Sequence, residues 1–151
     1  MATAANRSAV YPSSSPFRVR RVPAAASCQT LFMLSIGTVV LGVGDVWRAV
    51  DFWTQALSYI PREEVEDDWC VLVPAARSGP GLALGFSETP VQEHPRVHLD
   101  LYADDQPAEV ERLVSLGATR VDWDLYSDDA DYVVLADPDG NRFCVIDKSH
   151  G

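Results

Sequence analysis

Hydrophobic positions along the chain switch from a strand period to a helix period and back, and they do so twice. Ile36 to Val43 is a run of β-branched and apolar residues that reads as a strand, with Asp45 following at a helix N-cap position. Val46, Ala49, Val50, Trp53 and Leu57 then recur at helical spacing, which predicts an amphipathic helix with one apolar stripe, stopped by Pro61. Short strands are predicted at 62–65, 69–73 and 81–86, divided by the turn-rich stretches 66–68 and 74–80. The unit is βαβββ.

Residues 87–95 carry two prolines and no periodicity, so they read as a linker, after which the order begins again. A strand is predicted at 96–102, with Val97, Leu99 and Leu101 toward the helix and His98 and Asp100 on the opposite face. Pro107 opens the second helix, Val110, Leu113 and Val114 form its stripe, and Gly117 supplies the left-handed residue that ends it. Strands follow at 119–123, 132–136 and 142–146, the last two joined by Asp137-Pro138-Asp139-Gly140-Asn141, a strong hairpin signal. Sliding the first unit onto the second pairs Thr38 with His98, Asp45 with Asp105 and Val50 with Val110, a constant offset of 60 residues. The expected fold class is therefore α+β, with two βαβββ modules forming a curved mixed sheet around a cleft.

Composition changes this picture at the N-terminus. The chain has 151 residues, 22 acidic against 12 basic side chains, and a formal net charge of -10. Every acidic residue lies after Met33, whereas residues 1–32 hold Arg7, Arg18, Arg20 and Arg21 among Ala, Ser and Pro. Those residues are expected to be a disordered extension preceding a domain at 33–151, with Met33 a natural alternative start. So acidic a domain is a poor partner for nucleic acid or an anionic membrane. No apolar run approaches the roughly 18 to 20 residues that span a bilayer. Cys28, Cys70 and Cys144 are odd in number and widely spaced, which fits a reduced, cytoplasmic setting better than a disulfide framework.

The paired modules, Asp51-Phe52-Trp53, Ser115-Leu116-Gly117-Ala118 and the run at 137–141 together resemble the vicinal-oxygen-chelate superfamily, the glyoxalase/bleomycin-resistance fold. The resemblance covers Met33 to Lys148 and implies one scaffold that serves lyases, isomerases, dioxygenases and antibiotic-sequestering proteins. It further implies metal ligands at Thr38, Ala83, His98 and Cys144, where metal enzymes of the superfamily carry His or Gln, Glu, His and Glu. Only His98 keeps its type, so a divalent metal is disfavoured and no cofactor is expected.

The remaining candidates are a polar pair and a set of cleft walls. His98 and Asp100 are candidate catalytic residues, an imidazole oriented by a carboxylate to act as general base; the bland alternative is that each satisfies the other structurally. Thr38, Trp69, Trp123 and Cys144 are candidate ligand-binding residues, although Cys144 reads first as a buried space-filling thiol and the two tryptophans read equally as structural. A soft-metal site built on His98 and Cys144 is a third reading. Acidic stretches at 63–68 and 122–131 would favour a basic ligand, unless they are only solvated loops. The expected function is binding of a small organic molecule without the usual metal, as in drug-sequestering proteins, or else a lyase or isomerase working through His98; a homodimer is compatible with either.

Overall fold

The computed structural model describes residues 34–76 and 78–150. The expectation of a disordered extension at 1–32 lies outside these residues.

Two modules of identical topology follow one another. The first runs β1 (Thr38–Val43), α1 (Val46–Leu57), β2 (Tyr59–Pro61), β3 (Trp69–Pro74) and β4 (Gly81–Phe86). The second runs β5 (Asp100–Ala103), α2 (Gln106–Ser115), β6 (Thr119–Arg120), β7 (Tyr132–Ala136) and β8 (Arg142–Asp147), and a 3-10 turn, Lys148–His150, follows. Each forms its own four-stranded mixed sheet, ordered β1-β4-β3-β2 and β5-β8-β7-β6. In both, the first strand pairs in parallel with the last and the other pairings are antiparallel.

The helix entries repeat as the offset requires. Asp45 and Asp105 are both N-caps, their carboxylates accepting from the backbone N–H of Arg48 and Ala108. The helix exits differ. Pro61 does not stop α1 but stands in β2; the helix ends at Leu57 because Ser58 turns left-handed, at φ 54°. After α2, Gly117 adopts φ 116°, and the N–H groups of Gly117 and Ala118 return to the carbonyls of Val114 and Leu113 in a Schellman motif.

One core serves both modules. Val46, Ala49, Phe52 and Trp53 from α1 meet Val110 and Leu113 from α2, together with Leu72, Leu84, Leu135, Phe143 and Val145 from the sheets. Phe52, Trp53 and Phe143 stack edge-on with ring centroids 5.0 to 6.3 Å apart. The predicted strand at 96–102 begins only at Asp100, and Val97, expected to face the core, is 80% exposed. The predicted strand at 119–123 is likewise cut to two residues, leaving Trp123 on an irregular loop.

The hairpin between β7 and β8 clamps the modules together. Gly140, at φ 89°, lets the turn close, with its N–H on the Asp137 carbonyl at 2.9 Å. Buried Asp137 then accepts from the indole N–H of Trp53 at 3.1 Å. Asp139 Oδ1 accepts from the N–H groups of Gly44 and Asp45 at the start of α1 and from Arg48 at 2.6 Å. Asn141 donates to the Gly42 carbonyl at 3.0 Å, and Arg112 of α2 donates to the carbonyls of Gln55 and Ala56 at the end of α1.

Candidate functional site

Parallel pairing of β5 with β8 puts Asp100 directly beside Cys144, while His98 stands one step before β5 on the same face. His98 Nε2 lies 3.2 Å from Asp100 Oδ1, and both side chains are roughly half exposed. Donor atoms of His98, Asp100 and Cys144 all lie within 4.8 Å of one another. Burial, followed by the neighbouring Asp100 carboxylate, pushes the Cys144 thiol up to about 11. At neutral pH it is a protonated thiol that hydrogen-bonds Asp100, not a ready nucleophile.

These groups line a hollow of about 260 Å³ whose walls include Trp123, Tyr132, Val134 and Ile146. Trp123 is held there from two sides: its ring lies 4.9 Å from that of His94 and 5.5 Å beneath the guanidinium of Arg142. His94 also contacts Asp124 Oδ1 at 2.8 Å, which lowers that carboxyl below its ordinary range, and Arg142 donates to the Glu93 carbonyl. The linker at 87–95 is thus tied to the loop that carries Trp123.

A larger cleft of about 470 Å³ adjoins this hollow and shares Pro95, His98, Arg142 and Phe143 with it. Residues 39–42 of β1, the linker, residues 95–99 and the start of β8 line it, so it lies between the modules.

Four of the six residues singled out from sequence come together: His98, Asp100, Cys144 and Trp123 line the smaller hollow. Thr38 and Trp69 do not. Thr38 lines a separate depression with Ile60, Arg62 and Val73, and Trp69 lies across Gly85, where a Cβ would meet its ring at 3.1 Å. Three residues were missed: His94 was hidden in a stretch read only as linker, and Arg96 and Arg142 as ordinary strand residues. Strand parity sets Arg96 with His98 and Arg142 with Cys144, but sequence shows no pairing of charges, so neither arginine was singled out.

A two-module α+β domain with a polar cluster on the second sheet and a cleft between the modules is the architecture of the vicinal-oxygen-chelate superfamily. The chain belongs to the family described as "Glyoxalase-like domain", whose profile matches residues 38–146. No curated protein gives a significant match. Among solved structures it is similar to a possible glyoxalase from Bacillus cereus, at 16% identity and TM-score 0.58, covering 76% of this chain and 99% of that one. It is also similar to the fosfomycin resistance protein FosX from Listeria monocytogenes, at 14% identity and TM-score 0.60, covering 76% and 91%. A mutant of that protein, complexed with Mn(II) and 1S,2S-dihydroxypropylphosphonic acid, matches at 15% identity and TM-score 0.59, covering 76% and 90%.

The donor set can be tested against the divalent ion that this superfamily implies. Of the four positions named above, His98 and Cys144 converge, Thr38 is elsewhere, and Ala83 is fully buried without a donor atom. An oxygen-seeking ion would find one carboxylate, one imidazole and one soft sulfur atom. That set does not fit a hard divalent ion.

Proposed function

We propose that this glyoxalase-like domain binds a small organic molecule in the cleft between its modules and the hollow beside it, without the hard divalent ion of metal-dependent relatives. The observation that carries this reading is the hollow itself: an aromatic and aliphatic wall around His98, Asp100 and Cys144, opposite a first module that contributes no ligand atom. Such a site resembles that of a sequestering protein, where shape and a few polar groups fix the ligand. A thermal-shift screen of small organic compounds and divalent ions, with and without chelator, tests it. Stabilisation by an organic compound that persists in chelator is expected; stabilisation confined to divalent ions would overturn the reading.

A second reading is favoured by the 3.2 Å contact between His98 and Asp100. A carboxylate that orients the imidazole makes His98 a general base for removing a proton next to a carbonyl, as a lyase or isomerase requires. For any substrate found to turn over, His98→Ala should lower kcat by about 100-fold or more. Unchanged turnover would leave only the binding role.

A further inference from the structure

We infer that the ligand of this cleft is an anion, an aromatic or compact carboxylate or phosphonate whose charged end is held by Arg96 and Arg142. This rests on the small-molecule reading above and assigns its chemical class, opposite in sign to what the acidic loops suggest.

The inference comes from where unpaired positive charge remains. The protein is acidic by 22 residues to 12, so a surface arginine readily finds a carboxylate. Arg48, Arg62, Arg112, Arg120 and Lys148 each do, with Asp139, Glu63, Glu109, Glu111 and Asp104. Among the described residues, the arginines that form no ion pair are Arg96 and Arg142, and both line the cleft between the modules. No aspartate or glutamate lines that cleft with them, and the one carboxylate lining the adjoining hollow that Arg142 shares is Asp100, which lies 3.2 Å from His98. The acid that bears on Arg142 from outside, Asp124, is already engaged by His94 at 2.8 Å.

Arg142 is also held in place. Its guanidinium lies over Trp123 and donates to the Glu93 carbonyl, so part of the entropy of ordering a long side chain is lost before any ligand arrives. Arg96 is exposed and lines the same cleft, within which a second guanidinium would be available. Guanidinium pairs recognise carboxylate and phosphonate oxygens bidentately, which a lone ammonium cannot reproduce. The net charge of the molecule does not oppose this at contact range, because salt screens charges beyond about 8 Å at physiological ionic strength. His98 stands where the cleft meets the smaller hollow, and Trp123, Tyr132 and Val134 beyond it offer a surface for the apolar body of the ligand.

The test is a titration of the full chain, by calorimetry or by amide chemical shifts, with four compounds of one shape: benzoate, phenylphosphonate, benzamide and benzylamine. The two anions should bind at least about tenfold more tightly than benzamide, with benzylamine weakest, since one charge-assisted hydrogen bond supplies that much. Arg96→Gln should weaken both anions by about tenfold and leave benzamide and the melting temperature unchanged. Arg120→Gln, which breaks a pair remote from the cleft, should change neither affinity. Arg142→Lys, keeping the charge but losing the fork, should fall between Arg96→Gln and the unaltered protein. Equal or tighter binding of benzamide or benzylamine would overturn the charge assignment while the small-molecule reading stood, as would an Arg96→Gln variant with full anion affinity. If neither anion binds, the inference falls; if no organic compound stabilises the protein in the thermal screen, the reading beneath it falls too.

Discussion

In the first module the parallel pair β1 and β4 sets Val40 beside Ala83; in the second, β5 and β8 set Asp100 beside Cys144. The strand registers make these equivalent places, Val40 lying 60 residues before Asp100 and Ala83 61 before Cys144, and Thr38 is the counterpart of His98. One module carries a hydroxyl, an isopropyl and a methyl group where the other carries an imidazole, a carboxylate and a thiol. The apolar positions around them do not diverge in this way, because Val39, Leu41 and Val43 pack on the core as Leu99, Leu101 and Ala103 do. A duplicated βαβββ unit must keep the sheet face beneath its helix and is free to change the other. Here Trp69 lies over Gly85 and Thr38 lines a separate depression on the first module, while the polar cluster of the second lines a hollow of its own.

The harshest way to break this contrast is to restore a carboxylate to the first module. Ala83→Glu places a charged side chain where no surface is exposed, with Val40 and Val71 as its strand neighbours. A loss of several kcal/mol in urea unfolding is expected, about 3 or more, because the carboxylate is buried without a partner. A stable variant that also gained Mn(II) affinity would show that the two faces still meet over one ion.

A smaller effect probes the clamp that both modules share. Asp137 takes hydrogen bonds at Oδ1 from the N–H groups of Asp139 and Asn141, and at Oδ2 from Trp53 and the Asn141 amide. In Asp137→Asn one of those oxygens becomes an NH₂ group facing donors, at an expected cost of about 1–3 kcal/mol. Burial raises the Asp137 carboxyl despite these bonds, so the folded state holds its proton more tightly than the unfolded chain. Stability from this group is full below the unfolded value of about 4 and falls as pH rises through the folded one. The deficit of Asp137→Asn should therefore be largest in acid and narrow as pH rises through that window, which urea titrations at successive pH values would read. A deficit that widened with pH would place the charge, not the proton, among the stabilising elements.

The fold was legible because its signals are local and repeated. Asp45 and Asp105 cap helices wherever such sequences occur, Gly117 and Gly140 mark positive φ, and the two hydrophobic periods locate the helices and most strands. The errors fell where tertiary contacts decide. Residues at 96–99 alternate like a strand yet lie before β5, which leaves Val97 exposed, and Trp123 leaves its strand to lie between His94 and Arg142. Strand parity put His98 and Asp100 on one face, and the family resemblance added Cys144 as a position facing the same cleft. Sequence reasoning misplaced Thr38 and Trp69, because parity says which face a residue takes and not whether two faces share one space. Parity set Arg96 and Arg142 on those same faces, but their lack of an ion pair was not legible: being unpaired depends on all the acids around a group, and those acids are spread over the whole chain.

The finest test of the contrast uses two tryptophans, Trp69 at the start of β3 and the partly buried Trp123 on its loop. Trp69 belongs to the first module and lines neither the cleft nor the hollow, whereas Trp123 forms a wall of the hollow. Trp123→Leu should weaken an aromatic ligand by about 0.5–1.5 kcal/mol, the worth of an aromatic contact beyond its area, and Trp69→Leu should leave affinity unchanged. Because Trp123 also rests on His94 and Arg142, its loss should loosen the linker as well, and amide exchange at 92–96 would report that separately. Equal losses from both substitutions would mean that the face carrying Trp69 also reaches the ligand. The separation between that face and the hollow of the second module would then not hold.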